Sequence, residues 1–297
     1  MSVDGLVVVD KPTGCTSHDV VARLRRIYGQ RRIGHAGTLD PDATGVLLVG
    51  LGRATRLLRF LQETTKGYRA TIVFGVATDT LDASGAVLDR VTMRLTRAQV
   101  EDATRGFLGE RDQVPPMVSA IKIGGRRLHE LARKGEEVER PSRRVRVDRF
   151  DVDGFTDGAY PEADVTVECG SGTYVRSLAA DLGVALGGCA HLRDLRRLRV
   201  GAFDVSEAHP LETVESDPSA VVLTPAEALR GMARVEVAGE EARAVAHGAV
   251  FAPAGLPACT EGGPFAIVDA QGALLAVYER KGAALKAAVV MPEGATP

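Results

Sequence analysis

Hydrophobic and polar positions alternate along this chain with periods that change every ten to fifteen residues. GLVVVDKPTG (5–14) is a short apolar run closed by Pro and Gly, the pattern of a buried strand ending in a turn. Ser17 then stands where a helix N-cap is expected, with Val20, Val21, Leu24 and Ile27 on one helical face and Gly29 as the stop. In GYRATIVFGV (67–76) the period falls to two. Tyr68, Ala70, Ile72 and Phe74 point one way and Arg69, Thr71 and Val73 the other, which predicts a half-buried strand. TRAQVEDATRGF (96–107) opens on a capping box, Thr96 with Gln99, and carries Val100, Ala103 and Phe107 at helical spacing. RRVRVDRFDVDGF and ADVTVEC predict further strands. From Thr173 the spacing of Val175, Leu178, Ala179, Leu182 and Leu186 turns helical and ends at Gly187-Gly188.

Helices and strands alternate irregularly, and several strand pairs lie close in sequence. That favours an α+β fold with a mixed, mostly antiparallel central sheet flanked by helices over a doubly wound one. Around HPLETVESDPSAVVLTPAEAL (209–229) the composition shifts to Pro, Ser and acid. Beyond it RVEVAG, PFAIVDAQGALLAVYER and LKAAVVM are short segments separated by Gly-type turns, the pattern of a small β-rich unit. The expected division is therefore 1–215 and 222–297.

Composition narrows the class. The 297 residues are 45% hydrophobic and 26% charged, ordinary for a globular protein, and suffice for two domains. Four scattered cysteines (Cys15, Cys169, Cys189, Cys259) have neither disulfide-framework nor zinc spacing, so a reducing compartment and no metal are expected. The apolar stretch near the N-terminus is too short and too early interrupted by charge for a signal peptide, and no run approaches the ~20 apolar residues that span a bilayer. The expected location is the cytoplasm, with no membrane partner.

A net charge of −2 conceals a segregation. Residues 21–60 hold eight arginines, residues 122–150 hold Lys122, Arg126, Arg127, Arg133, Lys134, Arg140, Arg143, Arg144, Arg146 and Arg149, and Arg193, Arg196, Arg197 and Arg199 form a third knot. Residues 204–241 are acidic. Arginine outnumbers lysine in the basic segments, which suits planar contacts to phosphate and points to a polyanionic partner. Arginines on solvated helix faces would give the same pattern.

There is no phosphate loop, no dinucleotide fingerprint beyond a lone Gly170-Ser171-Gly172, and no nucleophile elbow. Asp79 and Asp82 lack calcium-loop spacing. An enzyme of this kind is expected to need no cofactor, as in an isomerisation or hydrolysis. The stretch GHAGTLDPDATGVLLVG (34–50) supplies one candidate group. Pro41 restricts Asp40 to extended or turn geometry, and the glycines allow another backbone to approach closely. A rigid loop would then aim a single carboxylate into a cleft, although an ordinary Asp-Pro turn has the same sequence.

The same stretch closely resembles the signature of the TruB-type pseudouridine synthases. DKPTGCTSHDVV (10–21), KGYRATIVFGVATDTLDASG (66–85), VPPMVSAIKIGGRRLHELARKG (114–135), CGSGTYVRSLAADLG (169–183) and AHLRDLRRLRVG (190–201) are similar to the family's other blocks, in family order. The resemblance covers about residues 5–201; the last ~75 residues are similar, more weakly, to a PUA-type RNA-binding β-barrel. It implies the pseudouridine synthase fold and isomerisation, through base flipping, of the T-loop uridine at position 55 of tRNA. The partner would be the tRNA T-stem-loop, and the protein a monomer needing no protein partner.

The resemblance also assigns roles. Asp40 is the catalytic residue, acting as nucleophile on the sugar or the ring, or as base at C2′; the residues do not choose among these. Arg176 is its cationic partner. At ~4 Å and an effective dielectric of about 20 such a pair is worth about 4 kcal/mol, which predicts a lowered Asp40 pKa. Tyr68 stacks on the flipped uracil, a contact worth ~1–3 kcal/mol; phenylalanine would keep the stacking and lose any proton transfer. Tyr174 and Leu195 line the uridine pocket. His35 fills the gap left by the extruded base, and Lys11 supports the active-site loop or a phosphate.

Met117 and Leu128 depart from the pattern, standing where many relatives carry aromatics. Asp42 lies at a position that varies in the family and is not taken as a second catalytic acid. The rival readings are an idle RNA-binding module, a nucleoside or glycoside hydrolase using Asp40 with Asp42, and a guide-RNA-dependent synthase.

Overall fold

Ten strands make up the main sheet. The computed structural model describes residues 2–118, 122–123, 126–127, 138–252, 255–256, 259 and 262–291. Leu128, Arg133 and Lys134, singled out above, lie outside the described residues. The main sheet runs in the order Val222–Leu223, Gly5–Lys11, Thr44–Leu51, Ala190–Val200, Lys66–Phe74, Glu162–Cys169, Arg143–Thr156, Gly109–Gln113. Ile33–Ala36 pairs with Thr44–Leu51, and Phe203–Asp204 with Ala190–Val200. Every pairing is antiparallel except one. Ala190–Val200 meets Thr44–Leu51 in parallel, with Arg196 opposite Thr44 and Arg197 opposite Gly45. The mixed, mostly antiparallel sheet is thus as expected, and its parallel seam lies just after the loop that carries Asp40.

Helices cover the faces as their periodicity requires. Ser17–Ile27 buries Val20, Val21 and Leu24 against Val7, Val9, Leu47 and Val49. Val175–Ala185 buries Val175, Leu178, Ala179 and Leu182 against Ile72, Phe74, Val165 and Val167. Full burial of each such aliphatic side chain contributes about 1.5–3 kcal/mol, before the entropy of ordering it. The Thr96–Gln99 capping box forms at the start of Arg97–Arg105.

Two local expectations change. The cap of Ser17–Ile27 is Thr16, in a reciprocal box with Asp19, and Ser17 is buried as the first helical residue. The Lys66–Phe74 strand is not half-buried. Flanked on both edges and covered on both faces, it leaves only Arg69 exposed.

The C-terminal unit is a separate sheet ordered Ala233–Glu236, Phe265–Val268, Leu274–Lys281, Ala284–Val290. The β-rich unit expected there is present as four strands, and among the described residues no pairing closes it into a barrel. Its Val268, Leu274, Val277 and Met291 share one core with Leu6, Val8, Leu48 and Phe203 of the main sheet. The acidic segment between the two sheets is structured. Leu211–Ser216 packs Leu211 and Val214 into the core, and Val222–Leu223 pairs with Leu6 and Val7. The main sheet therefore extends past both residue 215 and residue 222.

Candidate active site

The loop 37–43 joins two adjacent strands, and most of its supports come from other parts of the chain. The Lys11 ammonium, fully buried, donates to the carbonyls of Pro12 (2.8 Å), Cys15 (2.7 Å) and Pro41 (2.9 Å). Ser17 Oγ accepts from Leu39 N–H at 2.9 Å and donates to Leu39 O at 3.2 Å. Gly14 N–H donates to Pro41 O, and Ala43 N–H closes the turn on Asp40 O. From the other side Arg197, 1% exposed, donates Nε to Val46 O (2.7 Å) and Nη2 to Gly37 O (3.1 Å). Gly45 has φ +101°, and a Cβ there would lie 2.1 Å from Arg197 O, so only glycine fits this seam.

Arg176, the second residue of its helix, reaches Asp40 with a forked contact: Nε to Oδ2 at 3.0 Å and Nη2 to Oδ1 at 3.1 Å. Its Nη1 donates to Thr80 O at 2.9 Å and lies 3.3 Å from Asp82 Oδ2, while Nη2 also donates to Val118 O at 2.8 Å. The guanidinium is 3% exposed, and the planar fork meets two carboxylates and two carbonyls at once. Asp82 was not among the residues picked from sequence. It follows Leu81, which has φ +63°, and its Oδ1 accepts from Thr80 Oγ1 and Ser84 Oγ, both at 2.6 Å. The DTLDASG turn carried a signal for it only through the similarity of the 66–85 block.

The lowered Asp40 pKa expected from this pair is not what the site produces. Asp40 is raised above the ordinary value, chiefly because burial disfavours its charge. Arg176 pulls it down, and Asp82, sharing the same guanidinium, pushes it up again. Protein atoms crowd the carboxylate closely enough for lost solvation to win, although 39% of the side chain's surface remains open.

A cleft of about 430 Å³ opens beside this carboxylate. Asp40, Tyr68, Tyr174, Arg176 and Leu195 all line it, and Gln62, Glu63, Lys66, Thr173 and Arg197 are also in its wall. Tyr68 is buried in its strand, and its hydroxyl pKa is raised by that burial, with Arg197 opposing. Tyr174 is held through its backbone: its N–H donates to Gln113 Oε1 at 2.8 Å and its carbonyl accepts from Gln113 Nε2 at 3.1 Å. Lys66 donates to the carbonyls of Gln62 and Thr64, and burial lowers its pKa to about 8. Gln113, Lys66 and Arg197 are parts of this site that periodicity and spacing do not announce.

Two of the expected site residues lie elsewhere. Lys11 has no exposed surface, so it supports the loop and cannot reach a phosphate; burial also lowers its pKa. His35 lines an adjoining groove with Arg25, Arg31, Arg32 and Arg59. Its ring stands edge-on to His18 at 5.4 Å, and burial, with His18 and Arg197 nearby, lowers its pKa to about 4. The third arginine knot is not free for a polyanion either. Arg197 is internal, Arg196 pairs with Asp10 (2.8 Å), Arg199 with Glu168 (2.9 Å), and Arg193 with Glu162 and Asp194. Part of the charge segregation also closes on itself, since Arg23 bonds Glu212 and Glu215 of the acidic segment. Among the described residues no group of His, Cys, Asp and Glu could hold a metal ion, and no helix is long and apolar enough to cross a membrane.

The chain is similar to known proteins along most of its length. Residues 25–175 match the model of the TruB family pseudouridylate synthase N-terminal domain. Residues 176–230 match the tRNA pseudouridylate synthase B C-terminal domain, and 232–292 the tRNA pseudouridine synthase II C-terminal model. The chain is 47% identical over 294 residues to tRNA pseudouridine synthase B of Mycobacterium sp. (strain KMS), covering 97% of this chain and 96% of that one. It is 47% identical to the protein of the same name from Thermobifida fusca (strain YX), over 97% and 98% of the two chains. Among solved structures it is similar to a chain of a Cbf5-Nop10-Gar1 complex, with a TM-score of 0.75, 26% identity, and 97% of this chain and 85% of that one covered. A loop carboxylate gripped by a buried arginine beside a tyrosine-lined cleft thus coincides with full-length similarity, and the chain belongs to the TruB family of pseudouridylate synthases.

Proposed function

We propose that this tRNA-modifying isomerase converts the T-loop uridine at position 55 of tRNA into pseudouridine, with Asp40 as the catalytic residue. The observation that carries the reading is the convergence of Asp40, Arg176, Tyr68, Tyr174 and Leu195 on one cleft. The reaction breaks the N1–C1′ bond, turns the uracil and joins C5 to C1′; C5 gives up its proton and N1, freed from the sugar, takes one up. Substrate and product are isomers, so the balance requires no external oxidant, reductant or nucleotide. The uridine must leave its stack to reach Asp40, at a cost of a few kcal/mol that stacking on Tyr68 offsets. Tyr174 and Leu195 enclose the base, and Arg176 holds the carboxylate in one orientation. His35, one groove away, packs into the space that the flipped nucleotide vacates. Lys11 acts through the loop alone. The unit from Ala233 onward holds the far side of the tRNA, and the protein works as a monomer in the cytoplasm. The second carboxylate at the Arg176 guanidinium is Asp82, not Asp42, so the Asp40–Asp42 pair of the hydrolase reading does not share this arginine.

The test is tritium release from 5-tritiated uridine in a T-stem-loop transcript, without metal or added cofactor. Release is expected from position 55 and not from a transcript with cytidine there. Release independent of that position would overturn the assignment.

The raised Asp40 pKa gives a pH dependence. The carboxylate must be ionised to act, so activity falls as pH drops through the raised value. The acid limb of kcat/KM is therefore expected above the ordinary aspartate midpoint of about 3.9. Asp82→Asn removes the like charge and should move that limb to lower pH. An unmoved limb would mean that a different group titrates there.

A further inference from the structure

We propose that Lys66 is a second catalytic residue of this site, its ammonium donating to a carbonyl oxygen of the uracil while the ring is detached from the sugar. The proposal rests on the reading just given. Lys66 opens the strand Lys66–Phe74, and Tyr68 follows two residues later on the same face. Strand register sets Arg197 opposite Tyr68 and Leu195 opposite Ala70. Lys66, Tyr68, Leu195 and Arg197 all line the Asp40 cleft. A Cβ on Gly37 would lie 3.5 Å from Arg197 Nη1 and 3.8 Å from Lys66 Cε, so both cations pack against the loop that carries Asp40.

Lys66 Nζ donates to Gln62 O at 2.8 Å and to Thr64 O at 2.6 Å, and an ammonium carries a third N–H. The residue is 7% exposed and Arg197 is 1% exposed, yet among the described residues neither is ion-paired. Glu63, in the same wall, is exposed and pairs with neither, and Asp40 is held by Arg176. Two buried cations without a carboxylate favour an anion that enters the cleft. The reaction generates one. In each role open to Asp40 the electron pair of the N1–C1′ bond leaves with the uracil, and the charge spreads over N1, O2 and O4. It is gone once C5 has joined C1′, C5 has released its proton and N1 has taken one up. Lys66 itself keeps its protons throughout. A donor that binds this transient charge more strongly than the neutral base raises kcat, whereas one that binds both equally does not.

The experiment measures the pH profile of kcat/KM for tritium release from the T-stem-loop by wild type, Lys66→Arg and Lys66→Met. Burial, with Arg197 nearby, lowers the Lys66 pKa to about 8, so the ammonium is lost and wild-type activity falls as pH rises through that value. Neutral Lys66 still has two N–H groups for Gln62 and Thr64, so a purely structural role would leave no such limb. Cys169, pushed up to about 11, and Tyr68, raised above the usual phenol value of about 10, keep their protons there. A limb belonging to the RNA would be common to all three proteins. Lys66→Arg stays charged, so it should lose the limb and keep activity within about 10-fold of wild type at pH 7. Lys66→Met should lose about 10²–10³-fold in kcat, as for removal of one oxyanion donor, while binding the RNA within about 3-fold of wild type. Turnover of Lys66→Met within about 3-fold of wild type overturns the proposal. If Lys66→Met does not bind RNA, Lys66→Arg decides alone, and a limb still near pH 8 in that variant overturns the proposal. Wild type that releases no tritium at any pH would overturn the substrate reading and the proposal with it, a result distinct from release whose limb ignores residue 66.

Discussion

Asp40→Asn is expected to release no tritium above background while binding the T-stem-loop within about 3-fold of wild type. The substitution keeps the shape of the side chain and removes its charge and nucleophilicity. Loss of a positioned proton-transfer group alone costs about 10²–10⁴-fold, and loss of an obligatory nucleophile costs more. Binding and fold should survive because the loop does not depend on the carboxylate. Lys11, Ser17, Gly14 and Arg197 hold residues 37–43 through backbone atoms. Arg176 keeps Asp82 and the Thr80 and Val118 carbonyls as partners. Retained activity would remove Asp40 from the mechanism, whichever of its three chemical roles is preferred.

Arg176→Met should lose both activity and stability. Breaking a buried ion pair by removing one partner costs about 3–5 kcal/mol, because the other charge is left uncompensated. Here Asp40 and Asp82 are both orphaned, but Asp40 keeps 39% of its side-chain surface exposed and can recover solvent. The expected loss therefore lies near the low end, about 3 kcal/mol by denaturant unfolding. Arg176→Lys restores a charge without the fork, so stability should partly return and activity should not. Adding Asp82→Asn to Arg176→Met removes one orphaned charge, and should recover stability while activity stays absent. Wild-type stability and turnover in Arg176→Met would mean that the guanidinium neither orients Asp40 nor supports the fold.

The amino-acid sequence alone determined what depends on neighbours a few residues away. Period two and period 3.6 located the strands and helices, because burial of one face follows directly from backbone geometry. The Thr96–Gln99 box and the glycine stops were legible because caps are local hydrogen bonds. Asp40 was legible from a stiff turn together with its resemblance to a known block. At Thr16 and Ser17 the two competing caps differ by one residue, and only the buried bond from Ser17 to Leu39 separated them.

Tertiary structure decided the state of each charge. Arg176 and Asp40 lie 136 residues apart, and Asp82 joins them from a turn that local pattern leaves unremarkable. Arg196 and Arg197 are adjacent in sequence, yet one pairs with Asp10 on a part-exposed face while the other is sealed beneath the loop that carries Asp40. Strand register and one parallel seam put them there. The sign of the Asp40 pKa shift likewise depended on how much solvent its surroundings remove, which no spacing of residues along the chain encodes. Periodicity reports which face of an element is buried, whereas ion pairing and desolvation depend on which distant elements cover that face.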